Sequence, residues 1–446
     1  MRKELFQKAI NSIADAGREM LNRRMQVVSP TQKTEVTISQ LCRDLLSEKG
    51  EALGTALACN VMDAYKRLDE AGRLAFFHML RDEFEPEQEA LEDAIYTYLN
   101  DPSRENRQFL EKHVEAPRQA LIRAMNMAPG GTDALLGMRE DLLTFVKEDK
   151  SLKVVDADFV HLFSSWFNRG FLRIQEISWE TPATVLEKII EYEAVHAIAD
   201  WSDLRRRLAQ DRRCYGFFHP ALPGEPLIFV EVALTNDLSG SVQPLLSHDV
   251  VGKAEEANTA IFYSISNCQK GLLGISFGNF LIKQVVMELK QELPNIKTFS
   301  TLSPIPLFRK WLDNAFEGGQ VSDLLSEPGL ADAYFEFKQR NIKSSADLKD
   351  EDQSLLTRLC GYYLTQVKRK NMPYDPVARF HLGNGARLER INWLGDVSAN
   401  GVRQSYGLMV NYLYDLPSIE KNHEAYVNND EVIVSDAVSR LIETHK

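Results

Sequence analysis

"NCQKGLLGISFGNFLIKQVVMELKQEL", residues Asn267–Leu293, decides how the second half of this chain is read. It follows an apolar run, Ala260–Ile265, and places Gly271 and Gly274 shortly after it. Phe277, Leu281, Val285 and Leu289 then recur at helical spacing, with Phe280 and Leu293 beside them. That pattern predicts a strand, a glycine turn and an amphipathic helix. A glycine turn before a helix lets backbone N–H groups face an anion, usually a phosphate. The stretch is neither GxxxxGK[ST] nor GxGxxG, so neither a nucleoside triphosphate nor a dinucleotide is indicated. A bare GxxG also serves turn geometry alone, and nearby Lys270, Lys283 and Lys297 would suit solvent as well as an anion.

Working outward, the chain divides into two kinds of sequence. Up to about residue 170 it reads as helix after helix, with breaks at Glu85-Pro86, Asp101-Pro102-Ser103 and Pro129-Gly130-Gly131. Leu91, Ile95, Tyr98 and Leu99 fall on one face of such a helix. No fixed-period repeat is present, which favours an all-α bundle over a solenoid. From Trp166–Trp179 onward, β-rich runs such as Leu227–Leu234 alternate with helical segments, and a shorter run lies near Ile296–Thr301. The expected architecture is α+β: a helical domain over 1–170 and a mixed domain over 171–446.

The chain has 446 residues, enough for two or three domains with cores of their own. Its formal net charge is −12, which disfavours nucleic acid or a membrane surface as a non-specific partner. Cys42, Cys59, Cys214, Cys268 and Cys360 show no metal-ligand spacing, and a reduced, cytoplasmic setting is expected. No apolar run approaches membrane-spanning length.

Three segments carry candidate chemistry. Gly274-Ile275-Ser276-Phe277-Gly278 spells GxSxG, the nucleophile elbow of α/β-hydrolases, and Asp396 and His423 follow in the matching order. The mechanics oppose that reading. An elbow needs its strand to run straight into the turn, whereas a polar SNCQKG intervenes here and Phe277 opens the helix face. "TFSTLSPIPLF" (Thr298–Phe308) ends a short strand at Pro304 and Pro306, with Ser300, Thr301 and Ser303 at that end. In Ala378–Leu416, His381 precedes Gly383-Asn384-Gly385, a hairpin-type turn signal, and Tyr412 and Tyr414 would share a strand face.

Together "HPALPGEPLIFVEVALT", the opening stretch, "FSTLSPIP" and "FHLGNGARLERINWLGDVS" resemble malonyl-CoA decarboxylase. The resemblance covers the whole second half and, more loosely, the helical half. It implies an oligomer-forming helical domain and a catalytic domain of the GNAT acetyltransferase type that carries coenzyme A. On that reading Gln269, Lys270, Gly271, Leu272, Leu273, Gly274 and Ile275 receive the pyrophosphate of coenzyme A. The catalytic serine falls on Ser300 and the catalytic histidine on His381, with Ser398 and Tyr414 around the site and Asn384 as a supporting group. Ser303 stays open as the alternative reacting hydroxyl. The substrate is malonyl-CoA, the partner a second copy of the chain, and no cofactor or metal is expected. The alternative is a CoA-dependent acyltransferase on the same fold.

The chemistry suits such residues. Loss of CO2 from a malonyl thioester leaves a carbanion that the thioester carbonyl takes up as an enolate. The protein must then supply a donor for the developing oxyanion, one proton for C2, and a hold on the carboxylate.

Overall fold

The computed structural model describes residues 11–20, 37–248, 251–275, 281–317 and 329–442. They group into two compact units. One contains the chain up to Leu172 together with His219–Pro223 and Gln269–Phe277; the other contains Arg173–Phe218, Gly224–Cys268 and Gly278–Lys446.

The first unit is helical. Residues 11–20 are helical, further helices run from Ile38–Ser47 to Lys153–Trp166, and each sequence break separates two of these. Thr37, Asp69 and Ser103 cap their helices by accepting from backbone N–H groups, contacts worth about 1 kcal/mol each. Phe76, Phe77, Leu121, Ile122, Met125 and Phe163 form the packed interior. The Gln88–Asn100 helix departs from this pattern. It buries only Ala94, while Tyr96 and Leu99 are 66% and 69% exposed. The next helix, Arg104–Val114, buries no residue at all.

The second unit is built on one mixed sheet. Its strands are β1 (Arg173–Ile177), β2 (Arg212–Phe218), β3 (Pro226–Thr235), β4 (Thr259–Asn267), β5 (Thr298–Thr301), β6 (Ser303–Pro304), β7 (Arg387–Asn392) and β8 (Met409–Leu413). β1 to β4 pair antiparallel in sequence order, and β4 pairs with β5 in parallel. β8 joins β5, β6 and β7 antiparallel. β3 is apolar along nearly its whole length because both its faces are covered, which is why it stands out in the sequence. Tyr263 is an extra residue in β4: Glu231 faces Ser264 while Val232 faces Phe262. Such a bulge breaks the ladder and bends the strand.

Strand alternation divides the polar residues between the two faces. On one face lie Glu231, Tyr263 and Ser264, beneath the Ala183–Tyr192 and Trp201–Arg207 helices. Arg207 donates to Glu231 Oε2 at 2.7 Å, to Asp203 Oδ1 at 3.2 Å and to the His196 carbonyl at 3.1 Å. Glu193 accepts from the N–H groups of Val195 and His196 and from the Ser264 hydroxyl. Tyr263 lies beside Glu231 without completing a hydrogen bond to it, and Glu231 Oε1, Tyr263 Oη and His196 Nε2 are buried without partners. Burial pushes the Glu231 carboxyl up, and Arg207 beside it pulls it back only part of the way. Burial also pushes His196 down to about 4. The opposite face carries Phe262, Thr301, Ser303, Tyr412 and Tyr414, and there the candidate site is found.

Candidate functional site

His381 is carried by the helix Pro376–Gly383. Asp375 starts that helix by accepting from the N–H groups of Val377 and Ala378, and Pro376 supplies a first residue already set to helical φ. The expected hairpin turn at Gly383-Asn384-Gly385 is instead the end of this helix. Gly385 takes φ +82°, and a Cβ there would stand 2.2 Å from the Ile419 carbonyl. A helix terminus and a tight hairpin both require a left-handed residue, so the local signal fits either.

The imidazole is buried and held on every side. Nδ1 meets the Tyr414 hydroxyl at 2.8 Å, Nε2 meets Ser303 Oγ at 3.1 Å, and the ring stacks on Tyr412 at 4.7 Å. Ser303 Oγ donates onward to Thr301 Oγ1 at 2.8 Å, which also accepts the Tyr412 N–H. With that direction fixed, Ser303 accepts from Nε2–H, and Nδ1 accepts from Tyr414. Burial alone holds the ring well below its usual range, at about 3, so it is neutral at ordinary pH. Tyr412 and Tyr414 are pushed upward by the same cause and keep their protons.

The expected pairing of Ser300 with His381 is not made. Ser300 donates to the carbonyls of Tyr412 and Thr301 at 3.2 and 3.3 Å. The reason is parity. Ser300 is paired with Leu413 and Ser303 with Val410, so the two serines point to opposite faces of the sheet. Ser303 is the hydroxyl that reaches the imidazole.

The supporting residues are dispersed. Ser398 caps the helix Ala399–Ser405 through Gly401 N–H and is not bonded to His381. Asn384 donates to the Phe380 carbonyl and leaves its buried Oδ1 without a partner. Thr301 and Tyr412, named in the sequence without a role of their own, are contacts of the site; their spacing of two from Ser303 and Tyr414 puts each pair on one strand face.

The loop Gln269–Ile275 packs within the helical unit. Gly271 lies so close to the Gly131–Glu148 helix that a Cβ would stand 2.3 Å from the Leu136 carbonyl, and Arg139 donates to the Gly271 carbonyl at 2.6 Å. Gly274 takes φ +80° with open space around its Cβ position. The N–H groups of Leu272, Leu273 and Ile275 bond carbonyls inside the loop. Lys270 pairs with Glu140 at 3.2 Å and Lys283 with Glu420 at 2.6 Å. Of the elbow triad, Ser276 lies outside the described residues. Asp396 accepts from Gln243 and Ser398, and His423 bonds the Gly383 carbonyl.

Residues 170–446 match the malonyl-CoA decarboxylase C-terminal domain, and residues 84–167 match the N-terminal domain of the same family. The chain belongs to the malonyl-CoA decarboxylase family. It is 34% identical to the mitochondrial malonyl-CoA decarboxylase of Rattus norvegicus, in an alignment covering 96% of this chain and 91% of the relative. It is 40% identical to the one from Anser anser anser, over 73% of this chain and 69% of that protein. The malonyl-CoA decarboxylase structure from Rhodopseudomonas palustris is 51% identical and superposes with a TM-score of 0.85, covering 90% of this chain and 98% of the other. That from Agrobacterium vitis is 49% identical with a TM-score of 0.84, covering 91% and 100%. The helical part followed by a mixed-sheet part is the α+β order that the sequence predicts for this family. Among the described residues no helix is long and apolar enough to cross a membrane.

Proposed function

We propose that this chain converts malonyl-CoA to acetyl-CoA and CO2 through a thioester enolate, with His381 and Ser303 handling the oxyanion and the proton. The observation that carries the assignment is a neutral imidazole held between two hydroxyls in a buried site, in a chain of this family. As the C–C bond breaks, its electron pair passes to C2 and the thioester carbonyl. Buried donors stabilise that negative charge more strongly than exposed ones, because the site excludes competing water. A neutral ring can also pass a proton from one nitrogen while taking one at the other, so no imidazolium need form. The thioester is the electron sink, so the reaction needs no cofactor; turnover unchanged by a chelator is the check.

His381→Asn keeps a hydrogen-bonding side chain without the relay, and kcat should fall by about 10²-fold or more with a smaller change in KM. In D2O the acetyl product should carry one solvent deuterium at C2. Near-normal turnover of His381→Asn would remove the histidine from the chemistry. Transfer of an acyl group to an amine without release of CO2 would favour the acyltransferase reading.

The loop Gln269–Ile275 is assigned to the coenzyme A pyrophosphate on the strength of the family pattern and the left-handed Gly274. The helical unit is assigned a role in homo-oligomer formation, because the Gln88–Asn100 and Arg104–Val114 helices leave Tyr96, Leu99 and Phe109 open. A monomer by light scattering would overturn that role. A cytoplasmic setting is part of the same proposal, and microscopy of the tagged full chain tests it.

A further inference from the structure

A cavity of about 630 Å³ opens at one end of the sheet, between the end of the Leu281–Glu292 helix, the start of β5 and the chain that leaves β8. Its mouth is formed by exposed residues, among them Lys290, Lys297 and Leu416. Buried Phe299 and Tyr414 lie at its inner wall. Tyr414 is also the residue whose hydroxyl holds His381 Nδ1. Tyr414 thus belongs both to the wall of the cavity and to the hydrogen-bonded chain on His381, on the side of the ring opposite Ser303.

Decarboxylation raises a supply problem. Each turnover breaks one C–C bond, releases CO2 and forms one C–H bond, so one proton must be drawn from solvent per cycle. His381, Ser303, Thr301 and Tyr412 are all buried, and bound substrate would cover the Ser303 side further. Tyr414 is the member of the hydrogen-bonded chain that lines a space open to water. At about 30 Å³ per water in the liquid, the cavity has room for several, and the lysine ammonium groups, the Thr298 hydroxyl and the Asp415 carboxylate give them partners.

We propose that this cavity is the proton-entry port of the decarboxylase, and that Tyr414 passes solvent protons from it to His381 Nδ1 while substrate occupies the Ser303 side. The inference rests on the reading of His381 as the proton-handling group. Water in the cavity gives a proton to the Tyr414 oxygen as the Tyr414 hydroxyl gives its own to Nδ1, and the hydroxide left behind passes to solvent, where it combines with the released CO2 as bicarbonate. The Nε2 proton is then released toward Ser303 and C2, where the electron pair of the broken C–C bond receives it.

Filling the port tests this without touching the relay. In Leu416→Trp, kcat should fall roughly tenfold, less than the loss of the donor itself. The solvent deuterium isotope effect on kcat should rise, and KM for malonyl-CoA should hold. Met287→Trp, an exposed site elsewhere on the Leu281–Glu292 helix, should change neither. The double variant Tyr414→Phe/Leu416→Trp should be no slower than Tyr414→Phe, because the port is then already disconnected. Unchanged kcat and isotope effect in Leu416→Trp, with His381→Asn still inactive, would overturn the port and leave the histidine assignment standing. Full turnover in His381→Asn would remove both. Additive losses in the double variant would mean that the cavity acts on turnover by a route other than Tyr414.

Discussion

The two faces of the sheet bury polar groups by opposite means. On the Tyr263 face the groups are ionic: Arg207 bridges Glu231 and Asp203, and buried atoms of Glu231, Tyr263 and His196 remain without partners. On the His381 face the linked groups are uncharged, and each ring nitrogen has a hydroxyl. Buried charge is costly unless paired, whereas a neutral hydrogen-bonded chain adds little strain to the fold. The ionic face is thus committed to holding helices on the sheet. Under the proposed mechanism, the neutral face would keep its electrostatic capacity for charge that arrives with the substrate, first the malonyl carboxylate and then the enolate oxygen.

The largest effect expected from this contrast is on stability. Glu231→Ala leaves the Arg207 cation buried with Asp203 as its remaining carboxylate, and should cost about 3–5 kcal/mol, read as a fall in the unfolding midpoint. A loss under about 1 kcal/mol would show that the ionic face does not hold the fold as described.

The two serines provide the next test, because they share one strand segment and point to different faces. Ser303→Ala should lower kcat by about 10²-fold with a small change in melting temperature. Ser300→Ala should keep most of its turnover and lose about 1 kcal/mol of stability for its hydrogen bonds. The reverse result would return the reacting hydroxyl to Ser300 and show that the segment turns over when substrate binds.

The smallest effects lie in pH dependence, and the faces differ there too. His381 and His196 are both depressed, to about 3 and about 4, so the stability they contribute is present above pH 6.5 and lost as pH falls toward those values. Glu231 is raised above its usual 4.5, so its contribution runs the other way and is lost as pH rises above that value. Glu231→Gln should flatten the alkaline slope and leave the acid one. The profile of kcat/KM should show no inflection near 6.5, since His381 is already neutral there. An inflection at that pH, absent in His381→Asn, would contradict the burial-driven shift.

Much of this architecture can be read from residues alone, and the exceptions have physical reasons. Leu227–Leu234 and Ala260–Ile265 stand out because strands covered on both faces are apolar throughout. Arg213 and Tyr215 reach solvent-side partners and interrupt any such run in β2, and β1 is mostly exposed along its length. Neither strand has a clear periodicity. The family pattern names His381, and the structure buries it between Ser303 and Tyr414. The choice between Ser300 and Ser303 is not legible in that pattern, because a motif names residue types but not the face of a strand. That depends on which residues of β8 lie opposite, a pairing made across more than a hundred positions of sequence. The helix ending at Gly383 was hidden for a simpler reason, since Asn-Gly serves a hairpin and a helix end equally well.

Gly271 has a consequence for the order in which the protein is made. It packs against Leu136 and Arg139, so the helical unit is complete only when a piece of chain from far downstream has joined it. Domains generally fold as units, beginning at the amino terminus, while synthesis continues. Here the helices would leave the ribosome early and wait, with the seat for this loop unfilled, while β1 to β4 are still being translated. The nascent chain would therefore expose a binding surface for chaperones during that interval, and the arrival of Gln269–Ile275 would close it.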